Sequence, residues 1–160
     1  MRRFFDTNIL VYALDPGAPA KRDLARASID EAIADQSFVT STQVLAEFYT
    51  VAVRRKFARP NEALNLVRTW GGHDTVSHTF ELVLRAIELH QGHSLSPWDA
   101  LVVQAALDAD CGVLLTEDMQ HGRQFGALEI VNPFIATGAH EPRSTAYRTN
   151  RRRRPRRVKR

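Results

Sequence analysis

RRFFDTNILVYALD, residues 2–15, is the stretch whose reading decides the fold. Residues 2–6 read as a short buried strand, and residues 8–14 as a brief helix ended by Asp15-Pro16-Gly17, a turn signature. Asp6 falls at the junction. An acid there can cap the helix, or it can be the first arm of a metal site. Working outward, helical spacing runs through 18–35, with Leu24, Ala27, Ile29 and Ile33 in phase. Residues 37–40 read as a second strand. Residues 42–57 form a strong helix with Val44, Leu45, Phe48, Val51 and Ala52 on one face, and 61–70 another that stops at Gly71-Gly72. A weaker strand is expected at 74–77 and a helix at 79–90. A further helix starts at Ser96-Pro97 and runs to about Ala109. Strands follow at 112–115 and 128–131.

Strands alternating with helices predict an α/β fold with a mainly parallel central sheet of four to five short strands flanked by helices. The helix around 98–107 is apolar almost all round, so it should be buried along the sheet. A length of 160 residues fits one domain, with the ordered part expected to stop near residue 138. No apolar run approaches the roughly 20 residues of a membrane span, and no signal-peptide pattern opens the chain. Cys111 is the only cysteine, so an intrachain disulfide is impossible. A reducing, cytoplasmic setting is the expectation.

The net charge of +4 conceals a split. Residues 139–160 carry ten Lys and Arg against the single acid Glu141, a balance of +9. That leaves 12 basic and 17 acidic residues in 1–138, or −5. The tail has almost no apolar residues with which to pack. It is expected to be disordered and able to bind phosphate chains by counterion release, or to serve only as a solubilising segment. The acidic body is a poor nucleic-acid binder unless cations assist it.

In an open parallel sheet, ligands gather beyond the carboxyl ends of the strands. That rule selects Asp6 after the first strand and Asp118, in LLTEDMQHG (114–122), after the fourth. Glu47 in VLAEFY (44–49) and Asp99 in SPWDALV (96–102) are acids that two helices could add. Each has a plain structural account. Asp6 can cap its helix, and Ser96–Asp99 matches a capping box with Pro97 at the first helical position. Glu47 shares a polar stripe with Gln43, Thr50 and Arg54, and Asp118 can be a loop acid. Yet Asp99 stands at the mouth of a helix built for burial, and Glu47 borders an apolar face, where a carboxylate must be compensated. Two like charges about 5 Å apart repel by roughly 3 kcal/mol at an effective dielectric of 20. Six such pairs sum to roughly 20 kcal/mol, beyond the ~5–15 kcal/mol stability of a domain. Four converging acids therefore have to bind cations, take up protons, or stand apart. An all-oxygen donor set favours Mg²⁺ or Mn²⁺ over zinc.

FFDTNILVYA (4–13), STQVLAEF (41–48), SPWDALVVQAA (96–106) and LLTEDMQHG (114–122) together resemble, in order and spacing, the motifs of PIN-domain nucleases. The likeness is closest to the VapC-type toxins of bacterial toxin–antitoxin pairs and covers roughly residues 2–135. It implies a single PIN-like domain over 1–138 and Mg²⁺-dependent (or Mn²⁺-dependent) cleavage of RNA. By the same resemblance, Asp6, Glu47, Asp99 and Asp118 are the catalytic, metal-holding acids. Thr7 and Asn8 match the small polar residues behind the first acid, and Thr116 a hydroxyl that helps shape the site. A cognate antitoxin, bound through the apolar face of 42–57 or the helix 61–70, and a homodimer are further implications. Trp98 and the Arg-rich tail depart from the pattern.

Two other readings are kept. One is a Mg²⁺-dependent phosphatase, whose second acid Asn8 here replaces. The other is a non-catalytic RNA-binding protein acting through its Arg-rich tail. Among other side chains, Trp70 and Cys111 are expected in the core, His121 as a loop residue, and His90 and His93 outside any metal set.

Overall fold

The computed structural model describes residues 1–135; the Arg-rich segment lies outside the described residues. Six strands and six helices follow in the order β1 (Arg3–Phe5), α1 (Thr7–Tyr12), α2 (Pro19–Ala34), β2 (Phe38–Ser41), α3 (Thr42–Arg54), α4 (Pro60–Gly71), β3 (Asp74–Val76), α5 (Phe80–Gly92), α6 (Pro97–Asp108), β4 (Val113–Leu115), β5 (Gln124–Phe125) and β6 (Leu128–Val131). They form one sheet in the order β3-β2-β1-β4-β6-β5. All neighbours pair in parallel except β5 and β6, which form an antiparallel hairpin. The expected α/β architecture is present. The two-residue β5 is an addition that no periodicity could announce, because two residues carry no pattern.

Helix starts follow their capping residues. Ser41 accepts from the Val44 amide, Thr79 from that of Leu82, and Ser96 from that of Asp99. Pro19, Pro60 and Pro97 open their helices at the one turn where a missing N–H costs nothing. The third helix, expected to reach residue 57, stops at Arg54 because Lys56 takes a left-handed conformation, φ 59°.

The central strands are short and buried, and β2 is buried at every position. Phe5 stacks on Phe38 at 4.8 Å between ring centroids. On α3, Val44, Leu45, Phe48, Val51 and Ala52 all face inward, and Phe48 meets Trp70 of α4 edge-on at 4.8 Å. The α3 face raised as a docking surface is therefore core, as are Trp70 and Cys111. α6 buries Ala100, Val102, Val103, Gln104, Ala105 and Ala106, as its composition requires. No helix among the described residues is long and apolar enough to cross a membrane.

The strand order places a topological switch point beside β1. From β1 the chain crosses to β2 and on to β3 in one direction, then returns through α5 and α6 to β4 on the other side of β1. The crevice between the carboxyl ends of β1 and β4 is where such a sheet accommodates a ligand.

Candidate active site

Asp6 and Thr116 close that crevice from either side. The register pairs Phe5 with Leu115, so the next residues, Asp6 and Thr116, stand side by side just past the strands. The backbone continues the ladder there: the Asp6 amide donates to the Leu115 carbonyl at 3.1 Å, and the Thr116 amide to that of Val131 at 3.0 Å. Both side chains are buried. Asp6 does two jobs. Its extended backbone caps α1, with Oδ1 accepting from the Thr7 amide at 2.7 Å. Its Oδ2 accepts from Thr116 Oγ1 at 2.8 Å and from Asn8 Nδ2 at 3.3 Å.

Asn8 is the hub. Its Nδ2 also donates to Thr116 Oγ1 at 2.9 Å and to Asp118 Oδ2 at 3.2 Å, while Oδ1 accepts from the Glu117 amide at 3.4 Å. An amide here ties two carboxylates together, which a second acid at this position would not do without a proton. Thr116 Oγ1 in turn accepts from the Asp118 amide at 3.2 Å. On the opposite side, Thr7 Oγ1 donates to Glu47 Oε2 at 3.1 Å and Gln43 Nε2 to Glu47 Oε1 at 3.1 Å. Asp6, Glu47 and Asp118 are thus linked through Thr7, Asn8 and Thr116.

Asp99 comes to the same end of the sheet by another route. α6 precedes β4 through a short turn and runs back against it, so its first turn lies toward the carboxyl ends of the strands. There the Asp99 amide donates to Ser96 Oγ at 3.1 Å and Ser96 Oγ donates to Asp99 Oδ2 at 2.6 Å. The capping account of Asp99 is therefore real, and the contacts that tie Asp6, Glu47 and Asp118 into one unit run through Thr7, Asn8 and Thr116 and not through Asp99.

The electrostatics single out Asp6. Burial, and then the charges of Asp118 and Glu47, push its pKa from 3.8 up to about 7, against the opposing hydrogen bonds from Thr116 and the Thr7 amide. Among the described residues no ion pair reaches Asp6 or Glu47. The crowding of Asp6 with its two acidic neighbours is eased in two ways: its pKa is pushed up to about 7, and Asp118 stands exposed while Glu47 is half-buried.

Among the described residues no group of three or more His, Cys, Asp or Glu side chains closes around a metal ion by itself. The donor chemistry still suits a hard, hydrated cation. The acids offer only oxygen, Asp6 lacks a counter-charge, and Mg²⁺ retains several waters that bridge to more distant carboxylates. Asp6 would hold such an ion, with Asp118 and Glu47, which share its hydrogen-bonded unit, as candidates to complete the shell. A pairing of Asp6 with Asp99, which the resemblance implies, has no support in the groups that bond to Asp6 or shift its pKa.

Of two neighbours of Glu47, Gln43 was on the polar stripe that the sequence showed, and His78 was missed. Gln43 fixes the Glu47 carboxylate, yet its own Oε1 is buried with no hydrogen-bond partner. His78, just past β3, has a buried, unpartnered Nε2; burial lowers its pKa, and Glu47 raises it. The strand-end rule that selected Asp6 points equally to the end of β3. Three other histidines among the described residues have local tasks. His121 Nδ1 accepts from the Asn132 amide at 3.2 Å, His90 Nδ1 lies 2.7 Å from the Leu95 carbonyl, and His93 packs on Phe125.

Curated protein sequences contain no significant match to this chain. Its fold is shared with several solved structures. One is described as a toxin–antitoxin complex from Klebsiella pneumoniae: 18% identical, TM-score 0.61, covering 82% of this chain and 98% of the other. A second is VapC20 from Mycobacterium tuberculosis, described as a toxin that cleaves the sarcin–ricin loop: 22% identical, TM-score 0.55, covering 70% and 86%. A third is VapBC2 from Rickettsia felis bound to a DNA fragment from its promoter: 17% identical, TM-score 0.58, covering 81% and 97%. At such identities the likeness speaks for the fold. The PIN domain family model matches residues 3–124, a span that holds the buried Asp6 just past β1, the acids of α3 and α6, and Asp118 beyond β4; on this match the chain belongs to the PIN domain family.

Proposed function

We propose that this protein is a Mg²⁺- or Mn²⁺-dependent endoribonuclease, the toxin of a toxin–antitoxin pair. The observation that carries the reading is Asp6: a buried acid at the switch point, flanked by acidic neighbours and held by hydroxyl and amide donors. Membership of the PIN domain family and a fold shared with VapC toxins support it.

A divalent ion bound at Asp6 supplies Lewis-acid polarisation of a phosphate oxygen and lowers the pKa of water. Every other contribution comes from the chain. Thr116, Asn8 and the Thr7 amide fix the Asp6 carboxylate, so no side-chain reorganisation accompanies substrate arrival. Glu47, clamped by Thr7 and Gln43, is placed to orient a water and take its proton. Asp118, exposed at the mouth, meets the hydrated phosphodiester. Asp99, on the first turn of α6, is a further acid for the cation on the resemblance alone. The acidic body also explains why a cation is required: without one, an RNA phosphate meets only like charge.

The partner in this reading is a cognate antitoxin, in keeping with the toxin–antitoxin complexes that share the fold. A homodimer belongs to the same proposal. The test is cleavage of total RNA with Mg²⁺ or Mn²⁺ and with chelator. Metal-dependent cutting supports the nuclease; tight RNA binding without cutting would hand the function to the Arg-rich tail.

Truncation separates the two contributions. A chain ending at residue 138 is expected to retain metal-dependent cleavage at saturating RNA. Its RNA affinity should fall, and its salt dependence should flatten, because up to ten cations that release counterions have been removed. Filter binding across a salt series, beside the cleavage assay, reads both.

A further inference from the structure

Beside the carboxylates lies a second polar cluster that the catalytic reading does not use. Glu117 sits between Thr116 and Asp118, but its side chain turns to α1 and α2. Tyr12 Oη, at the end of α1, donates to Glu117 Oε1, and Lys21 Nζ donates to Glu117 Oε2 at 2.7 Å. Lys21 also donates to Tyr12 Oη at 3.1 Å, and its ammonium lies 4.5 Å from the Tyr12 ring centroid and 5.2 Å from that of Phe134. The Tyr12 and Phe134 rings themselves meet edge-on at 5.1 Å.

Helix energetics do not explain this lysine. Lys21 occupies the first turn of α2, where the positive end of the helix dipole disfavours a cation. Simple surface pairing does not explain it either, since the Lys21 and Glu117 side chains are only 15% and 18% exposed. A largely covered ion pair contributes little net stability, because desolvation offsets attraction. What it does define is geometry. The 116–118 loop is gripped on its backbone side by Asn8 and Thr116 and on its side-chain side by Lys21 and Tyr12.

We propose that Lys21 and Tyr12 are positioning residues: by clamping Glu117 they hold the 116–118 loop so that Asp118 faces Asn8 and Asp6, and they neutralise an acid that would otherwise crowd the site. This rests on the nuclease reading above for its catalytic consequence, though not for the clamp itself.

The experiment compares wild type, Lys21→Met, Lys21→Arg and Glu117→Gln in the full chain. Amide hydrogen exchange of metal-free protein reads the clamp. Mn²⁺ titration and RNA cleavage read its consequence. Lys21→Met is expected to speed exchange at the Glu117 and Asp118 amides about tenfold, with the β1 amides unchanged. Mn²⁺ affinity and kcat should each fall about tenfold, as for other residues that orient a metal ligand, while KM changes by less than about twofold. Lys21→Arg should restore most of both. Glu117→Gln keeps the shape and the Tyr12 contact but loses the ion pair, so it should shift the same readouts by about threefold; it decides the matter if Lys21→Met does not fold. Exchange at 117 and 118 that stays at the wild-type rate, or that rises equally throughout β1, would overturn the clamp. Wild type that neither binds Mn²⁺ nor cuts RNA would sink the nuclease reading instead, and the exchange pattern would still judge the clamp.

Discussion

Asp6→Asn is expected to lower RNA cleavage by about 10³-fold, comparable with losing a principal electrostatic group from an active site, while the fold persists. The reason is position: Asp6 is the buried acid at the switch point, and an amide offers the cation one neutral oxygen in place of a carboxylate. The same substitution has a second, independent signature. The pKa of Asp6 rises from 3.8 to about 7 on folding, so the native chain holds the extra proton between those values. Stability must therefore fall as pH climbs through that interval, by an amount that approaches about 4 kcal/mol once the carboxylate is ionised. In chelator, wild-type stability should decline from about pH 4 to about pH 7, and Asp6→Asn should flatten that part of the slope. The asparagine also meets Asn8 Nδ2 with its own amide donors, so the absolute stability need not rise; the change in slope is the diagnostic. Denaturant unfolding at several pH values measures it. An unchanged slope would mean that Asp6 is not the strained acid of this site. Mn²⁺ added at pH 8 should stabilise wild type and leave Asp6→Asn nearly unmoved.

Much of this site was legible in the linear sequence because strand ends and helix faces are local features. Asp6 follows an apolar strand directly, Asp118 lies just beyond another, and Glu47 borders the apolar face of its helix. The all-round apolar α6 announced its own burial, and the five inward residues of α3 are in phase in the sequence itself. What the sequence withheld depends on strand order. Asn8 bonds to residues 108 and 110 positions away, and that juxtaposition exists only because β4 returns to the side of β1 opposite β2. The clamp on Glu117 is hidden for the same reason, joining residues 96 and 105 positions apart. His78 escaped because three-residue β3 is half-exposed and gives little hydrophobic signal, although its carboxyl end obeys the rule that found Asp6. Asp6 caps its helix and still offers Oδ2 to Thr116 and Asn8, so a good cap is weak evidence against a further role.

Thr116→Val is the sharper test of how the acids are arranged, because it removes one oxygen and almost no volume. That oxygen is fully buried. It donates to Asp6 Oδ2 at 2.8 Å and accepts from Asn8 Nδ2 at 2.9 Å and from the Asp118 amide at 3.2 Å. Replacing it with a methyl group leaves three polar partners short of a bond, which should cost about 2–3 kcal/mol of stability. The Thr116 hydrogen bond is also the largest influence holding the Asp6 pKa down, so without it that pKa moves higher still. Two consequences follow in opposite compartments of the pH scale. In chelator, the fall in stability that belongs to Asp6 should begin near the same pH as in wild type but continue to higher pH, because only the folded-state pKa has moved. In the presence of Mn²⁺, cleavage should drop about 100-fold near neutrality and recover in part as pH is raised, since cation binding needs the ionised carboxylate. Thr116→Ser, which keeps the hydroxyl, should behave as wild type in both assays apart from a small packing loss. If valine and serine gave the same pH profile, the hydroxyl would be a packing feature, and the assignment of Asp6, Asn8 and Asp118 to one hydrogen-bonded unit would fail with it.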